Sequence, residues 1–174
     1  PPLPPAPGLR PSAGRFGSEQ ARVRNEAVRS LAARAGDCLG TSHRQSAVRS
    51  VVARVRTGIT ELFALPNGYE VLLGNGGTTT FWDAASFGLI ATRSQHLVCG
   101  EFSSKFATVT RTAPHLRDPE VIESGPGTHP SPHANPGVDA YCWPQNETST
   151  GVMLPVQRPD GATDDPLVLV DATS

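Results

Sequence analysis

Thr78, Thr79, Phe102, Thr148 and Asp171 are the residues whose types could jointly do chemistry. The two threonines follow Gly74-Asn75-Gly76-Gly77. Glycines accept positive φ and carry no Cβ, so three in four positions let backbone N–H groups converge on an anion. Thr78 and Thr79 add hydroxyl donors and helix-capping capacity, and a helix N-terminus favours negative charge. Phe102 offers a flat face to an aromatic ring, Thr148 a further hydroxyl, and Asp171 a carboxylate for a ring nitrogen. Read together, they fit an aromatic, phosphorylated cofactor. The glycine turn alone does not identify the phosphate: no Gly-Lys-Ser/Thr follows it, and the dinucleotide pattern G-x-G-x-x-G fails at Thr79.

The flanking elements must carry these groups to one place. The apolar run 71–73 reads as a short buried strand halted by the glycines. Residues 79–90 have a helical apolar spacing at Phe81, Ala84, Ala85 and Leu89. Residues 95–100 read as a second strand, and 101–110 as a helix. Residues 120–124, 138–143 and 167–170 read as further strands, with 125–137 and 155–166 as loops. Upstream, two amphipathic helices are expected over 19–35, stopped by Gly36, and over 45–65. Between them Gly40-Thr41-Ser42-His43-Arg44-Gln45 forms a polar turn that holds a compact group of donors. Residues 1–14, P-P-L-P-P-A-P-G-L-R-P-S-A-G, read as an extended proline-rich arm. Strands alternating with helices predict an α/β fold with a mostly parallel sheet and its functional groups at the carboxyl ends of the strands.

A chain of 174 residues is long enough to bury a core. The net charge of −1 argues against nucleic-acid or membrane-surface binding by bulk charge. Fourteen arginines stand against a single lysine, Lys105. Cys38, Cys99 and Cys142 lack metal-ligand spacing and read as free thiols of a reducing cytoplasm. His129 and His133 lack a third ligand, so no metal site is expected. No apolar run approaches a membrane span.

Five ordered stretches carry a family resemblance: G-T-S-H-R-Q (40–45), G-Y-E-V-L-L-G-N-G-G (68–77), G-E-F-S-S-K-F (100–106), N-E-T-S-T-G-V (146–152) and V-D-A-T-S (170–174). Together they resemble the phosphoserine aminotransferases of actinobacteria, from residue 15 onward. The resemblance implies a cytoplasmic homodimer of transferase fold type I, dependent on pyridoxal 5'-phosphate (PLP), with a mostly parallel large-domain sheet flanked by helices. It implies amino transfer between L-glutamate and 3-phosphohydroxypyruvate in serine biosynthesis, with pyridoxine-pathway substrates as a further option. It places Thr78 and Thr79 on the PLP phosphate, Phe102 on the pyridine ring, Thr148 on the cofactor and Asp171 on the ring nitrogen. Arg44 would bind a substrate carboxylate through its planar fork, with His43 beside it. The family's Schiff-base lysine is expected beyond Ser174, so residues 15–174 read as an incomplete, truncated domain that is inactive alone.

Three positions depart from the family pattern. Gly17-Ser18-Glu19-Gln20-Ala21 stands where G-S-G-P-S is common, Gly76-Gly77-Thr78-Thr79 where G-G-A-R is common, and Phe102 where many relatives carry Trp. Lys105 falls in the helix after Phe102 and reads as solvated or as a neighbour of the phosphate, not as the Schiff-base lysine. Two alternatives stay open: a non-catalytic nucleotide-binding domain in which Glu101 accepts from a ribose hydroxyl, and another small-substrate PLP transaminase or lyase.

Overall fold

The computed structural model describes residues 18–74 and 76–173; the proline-rich arm, Asn75 and Ser174 lie outside the described residues. The chain forms two compact units, divided after Leu73, each described by itself.

The upstream unit holds α1 (Ser18–Ala33), α2 (Ala35–Cys38) and α3 (Ser46–Leu62). Gly36 does not stop the first helix, as the sequence predicts; the helix ends at Ala33, and Gly36 lies inside the single turn of α2. The apolar stripe of α3 (Val48, Val51, Val52, Val55, Ile59 and Leu62) follows a 3.6-residue period, yet no residue of this helix is fully buried. The expected strand at 71–73 does not form: among the described residues the segment pairs with no strand, and Leu72 is 81% exposed. An apolar run becomes a strand only where a neighbour completes its hydrogen-bond ladder.

The downstream unit is an α/β layer. Its sheet has the order β2 (Glu120–Glu123), β1 (Ser94–Val98), β3 (Ala140–Pro144), β6 (Leu167–Asp171), with every pairing parallel. The two central strands, β1 and β3, are buried along their whole length, as parallel strands covered on both faces must be. Alternate residues of β3 serve opposite faces. Ala140 and Cys142 join Trp82, Ala85, Ile90, Phe106 and Leu169 under the helices α4 (Thr78–Ala84) and α5 (Glu101–Thr112). Tyr141 and Trp143 join Leu97, Cys99, Val138 and Leu154 on the other face. Against that second face lies an antiparallel pair, β4 (Asn146–Glu147) with β5 (Val152–Met153), a segment to which the sequence reading assigns no element.

Helix α4 starts at Thr78, one residue earlier than predicted, and runs into a π-helical turn at Ala85–Leu89 instead of continuing as α-helix to Ile90. The wider turn closes with the Ile90 N–H donating to the Ala85 carbonyl at 2.9 Å. It buries Ile90 while leaving Phe87 and Leu89 outside. Phe106, fully buried, is the hub of this face: its ring lies 6.0 Å from Trp82, 5.9 Å from Phe81 and 4.8 Å from His96, the last edge-on. His96 bonds only to the Ser94 hydroxyl, at 3.0 Å, and burial, helped by Arg111, pulls its pKa down to about 3. It is a neutral core side chain at ordinary pH.

At the amino edge of the sheet, the Asp139 carboxylate accepts from the Ala91, Thr92 and Arg93 N–H groups at 3.1, 2.6 and 3.2 Å. It ties the end of the helical segment to the start of β3. Phe106→Ala is expected to destabilise the chain by about 3–5 kcal/mol through the cavity it leaves among three aromatic rings, measured as a fall in the urea midpoint at unchanged m-value.

Candidate active site at the carboxyl edge of the sheet

The carboxyl ends of the parallel strands meet the start of α4 around one small depression. Thr78, Phe102, Pro144, Asn146, Asp171 and Thr173 line it. Three of the residues singled out from the sequence, Thr78, Phe102 and Asp171, are thereby brought together, although 24 to 93 positions separate them in the chain. Thr79 and Thr148 are both exposed and do not line it: Thr79 follows Thr78 in the first turn of α4, and Thr148 sits in the turn between β4 and β5. His43 and Arg44 belong to the upstream unit, where both are exposed and the Arg44 N–H donates to the Ser42 hydroxyl at 3.2 Å.

Each lining residue is fixed by local backbone logic. Gly77, at φ 105°, turns the chain into α4 in a conformation that L side chains rarely adopt. The first turn of a helix leaves N–H groups without intrahelical acceptors, and Thr78 stands in that turn. Asp171 is the last residue of β6 and is 6% exposed. Its Oδ1 accepts from the Thr173 N–H at 3.1 Å and from the Thr173 hydroxyl at 2.6 Å, and its Oδ2 accepts from the Trp82 indole N–H at 3.0 Å. A buried carboxylate with three protein donors is held in one orientation.

Phe102 owes its place to Glu147, a residue the sequence reading did not single out. Glu147 is fully buried on β4. Its carboxylate accepts from the Phe102 N–H at 3.3 Å, the Ser103 N–H at 2.7 Å, the Ser103 hydroxyl at 2.6 Å and the Ser149 hydroxyl at 2.6 Å. This is an N-terminal helix cap supplied from a distant strand, with the charge at the favourable end of the dipole. Burial alone would push the Glu147 pKa up, but the hydroxyls of Ser103 and Ser149 and the two backbone donors outweigh it and leave the carboxyl below its ordinary value. Gly100 is required beside it, because a Cβ there would lie 2.5 Å from the Glu147 Cγ and the Ser149 Oγ. The one available signal in the sequence was an acidic residue, in N-E-T, with serines on both sides of the fold to meet it.

The remaining candidates are placed as follows. Lys105 Nζ donates to Glu101 Oε1 at 2.6 Å and lies 5.7 Å from the Phe102 ring centre, an exposed pair one helical turn apart. Glu101, the candidate ribose acceptor of the nucleotide reading, is occupied by that pairing. Cys99 and Cys142 are free, buried thiols, both pushed above the ordinary thiol range by burial first and then by Glu147 and Asp139 respectively. Among the described residues no group of His, Cys, Asp and Glu could hold a metal ion, and no helix is long and apolar enough to cross a membrane.

The sign of the Glu147 contribution follows from its depressed folded-state pKa. Its stabilisation is complete above the unfolded carboxylate value of about 4.3 and is lost as pH falls through the lower folded value. Urea midpoints recorded from pH 7 to pH 3 should therefore fall for the natural chain. In Glu147→Gln the midpoint should start lower at pH 7 and vary less with pH across that window.

No protein-family model matches the chain. Among curated proteins, a phosphoserine aminotransferase of Nocardioides sp. is 58% identical over 167 residues, covering 95% of this chain and 45% of that protein. The phosphoserine aminotransferase of Rhodococcus opacus is 54% identical over 166 residues, covering 95% and 44%. The chain thus spans somewhat under half the length of the curated relatives it matches. Among solved structures, the phosphoserine aminotransferase of Cytophaga hutchinsonii superposes with a TM-score of 0.73 at 26% identity, over 86% of this chain and 42% of that one. A second, from Bacillus circulans, shares the fold with a TM-score of 0.55 at 19% identity. Sequence and fold agree: over nearly its whole length the chain is similar to a part of the phosphoserine aminotransferases.

Proposed function

We propose that the depression at the carboxyl edge of the sheet holds PLP, and that the chain serves a phosphoserine transaminase moving an amino group between L-glutamate and 3-phosphohydroxypyruvate in a cytoplasmic homodimer. The identity of 58% to a phosphoserine aminotransferase carries this reading. The donor set also fits the cofactor: a first-turn threonine for a phosphate, an exposed aromatic face for a ring, and an oriented carboxylate for a ring nitrogen gather around one depression.

PLP, when bound, supplies an electron sink for the pair released as the substrate Cα–H bond breaks. The chain's own residues would hold and tune it. Asp171 keeps the ring nitrogen protonated by placing a negative charge beside it in a poorly solvated position. Phe102 covers one ring face and restricts water there. Thr78 and Thr79 donate to the phosphate from the start of α4, and Thr148 donates a hydroxyl from the turn beside Glu147. Arg44 offers two parallel N–H donors to a substrate carboxylate, with His43 adjacent. The amino-transfer reaction also needs the family's lysine, which the 174 residues do not contain at a matching position.

A polypeptide of the length of the curated relatives, carrying this chain, should be yellow with PLP and should convert 3-phosphohydroxypyruvate in the presence of L-glutamate. The 174-residue chain alone should show no glutamate-dependent transfer. A colourless full-length protein that binds a nicotinamide dinucleotide instead would overturn the assignment. Asp171→Ala should lower kcat by about 10²–10³-fold while weakening cofactor binding far less, measured by steady-state kinetics beside equilibrium dialysis of PLP.

A further inference from the structure

Trp82 is nearly buried, at 5% exposed, and its indole N–H donates to Asp171 Oδ2 at 3.0 Å across 89 positions of sequence. Its ring is stacked on Phe106 at an interplanar angle of 14°, so the core also holds its orientation. The other tryptophan, Trp143, has no hydrogen-bond partner for its indole N–H among the described residues, so indole donors are not satisfied indiscriminately in this fold. The two oxygens of Asp171 are unequally occupied. A carboxylate oxygen has about two acceptor directions; on Oδ1 both are taken by Thr173, whereas on Oδ2 Trp82 takes one.

We infer that Trp82 is a positioning residue for the ring-nitrogen contact: it locks the Asp171 carboxylate so that Oδ2, through its remaining acceptor direction, is the oxygen that receives the cofactor's ring N–H. This rests on the PLP reading above. The indole acts only through Asp171 and touches no reacting atom. Because α4 carries both Thr78 and Trp82, one helix would set the phosphate end and the nitrogen end of the same small molecule.

The test uses the full-length polypeptide and pyridoxamine 5'-phosphate, whose amine forms no bond to a lysine, so the ring contacts govern its affinity. Trp82→Phe keeps a flat ring for Phe106 and removes only the N–H donor and part of the volume. With Asp171 present, this variant should bind the probe about tenfold more weakly, the scale of one hydrogen bond to a charged group. In an Asp171→Asn background the same substitution should change affinity less than twofold. An unchanged affinity, or an equal loss in both backgrounds, overturns the role through Asp171, since a merely structural effect ignores the carboxylate. Should Trp82→Phe fail to fold, the natural protein decides. Its Trp82 indole ¹⁵N–¹H resonance should move on saturation with the probe, because the ring N–H comes to share Oδ2; a resonance that stays fixed overturns the inference. A natural protein that binds neither pyridoxamine 5'-phosphate nor PLP instead removes the cofactor reading itself, and the inference with it.

Discussion

A fully buried carboxylate is tolerable only when its lone pairs are filled, and the filling of Glu147 organises the carboxyl edge of this sheet. Four donors from two segments, the first turn of α5 and the turn after β4, converge on it. The charge supplies what the helix start needs, and the helix start supplies what the charge needs. Gly100, where a Cβ would strike Glu147, shows how closely the two backbones approach. Phe102 inherits its place from this contact, as does the turn bearing Thr148.

Asp171, at the end of β6, repeats the same logic with a different outcome. Glu147 is sealed and purely architectural, whereas Asp171, also bonded by protein donors, lies on the wall of a depression with acceptor capacity left over. Two carboxylates, one on β4 of the small antiparallel pair and one at the end of β6, thus divide the work: one closes the scaffold, the other lines the depression. The parallel pairing of β3 with β6, which sets Pro144 opposite Asp171, brings the second within reach of the helix starts.

Much of this was legible in the sequence because it rests on short-range signals. Strand runs such as 167–170 and the helix after Gly100 follow from apolar periodicity, and the clustering of Thr78, Phe102 and Asp171 follows from the rule that parallel sheets gather function at their carboxyl ends. What was not legible depends on partners far away in the chain. The run 71–73 has a strand's composition but no neighbour among the described residues to pair with. The pair β4 and β5 is two residues on each side, too short for periodicity to register. Glu147 and Trp82 look ordinary in sequence; their importance lies in donors and acceptors 44 and 89 positions distant. The π-helical turn is invisible to a 3.6-residue count because its five residues carry the same apolar types an α-helix would.

The order of the sheet has a kinetic corollary. In β2-β1-β3-β6 the strand bearing Asp171 is the last of the four to leave the ribosome, and it docks on β3 only after a long intervening segment has been placed. Non-local parallel pairings of this kind form late and slowly. Asp171 therefore reaches the depression after the other three strands are in place, so a molecule captured there would also help to hold β6 against β3.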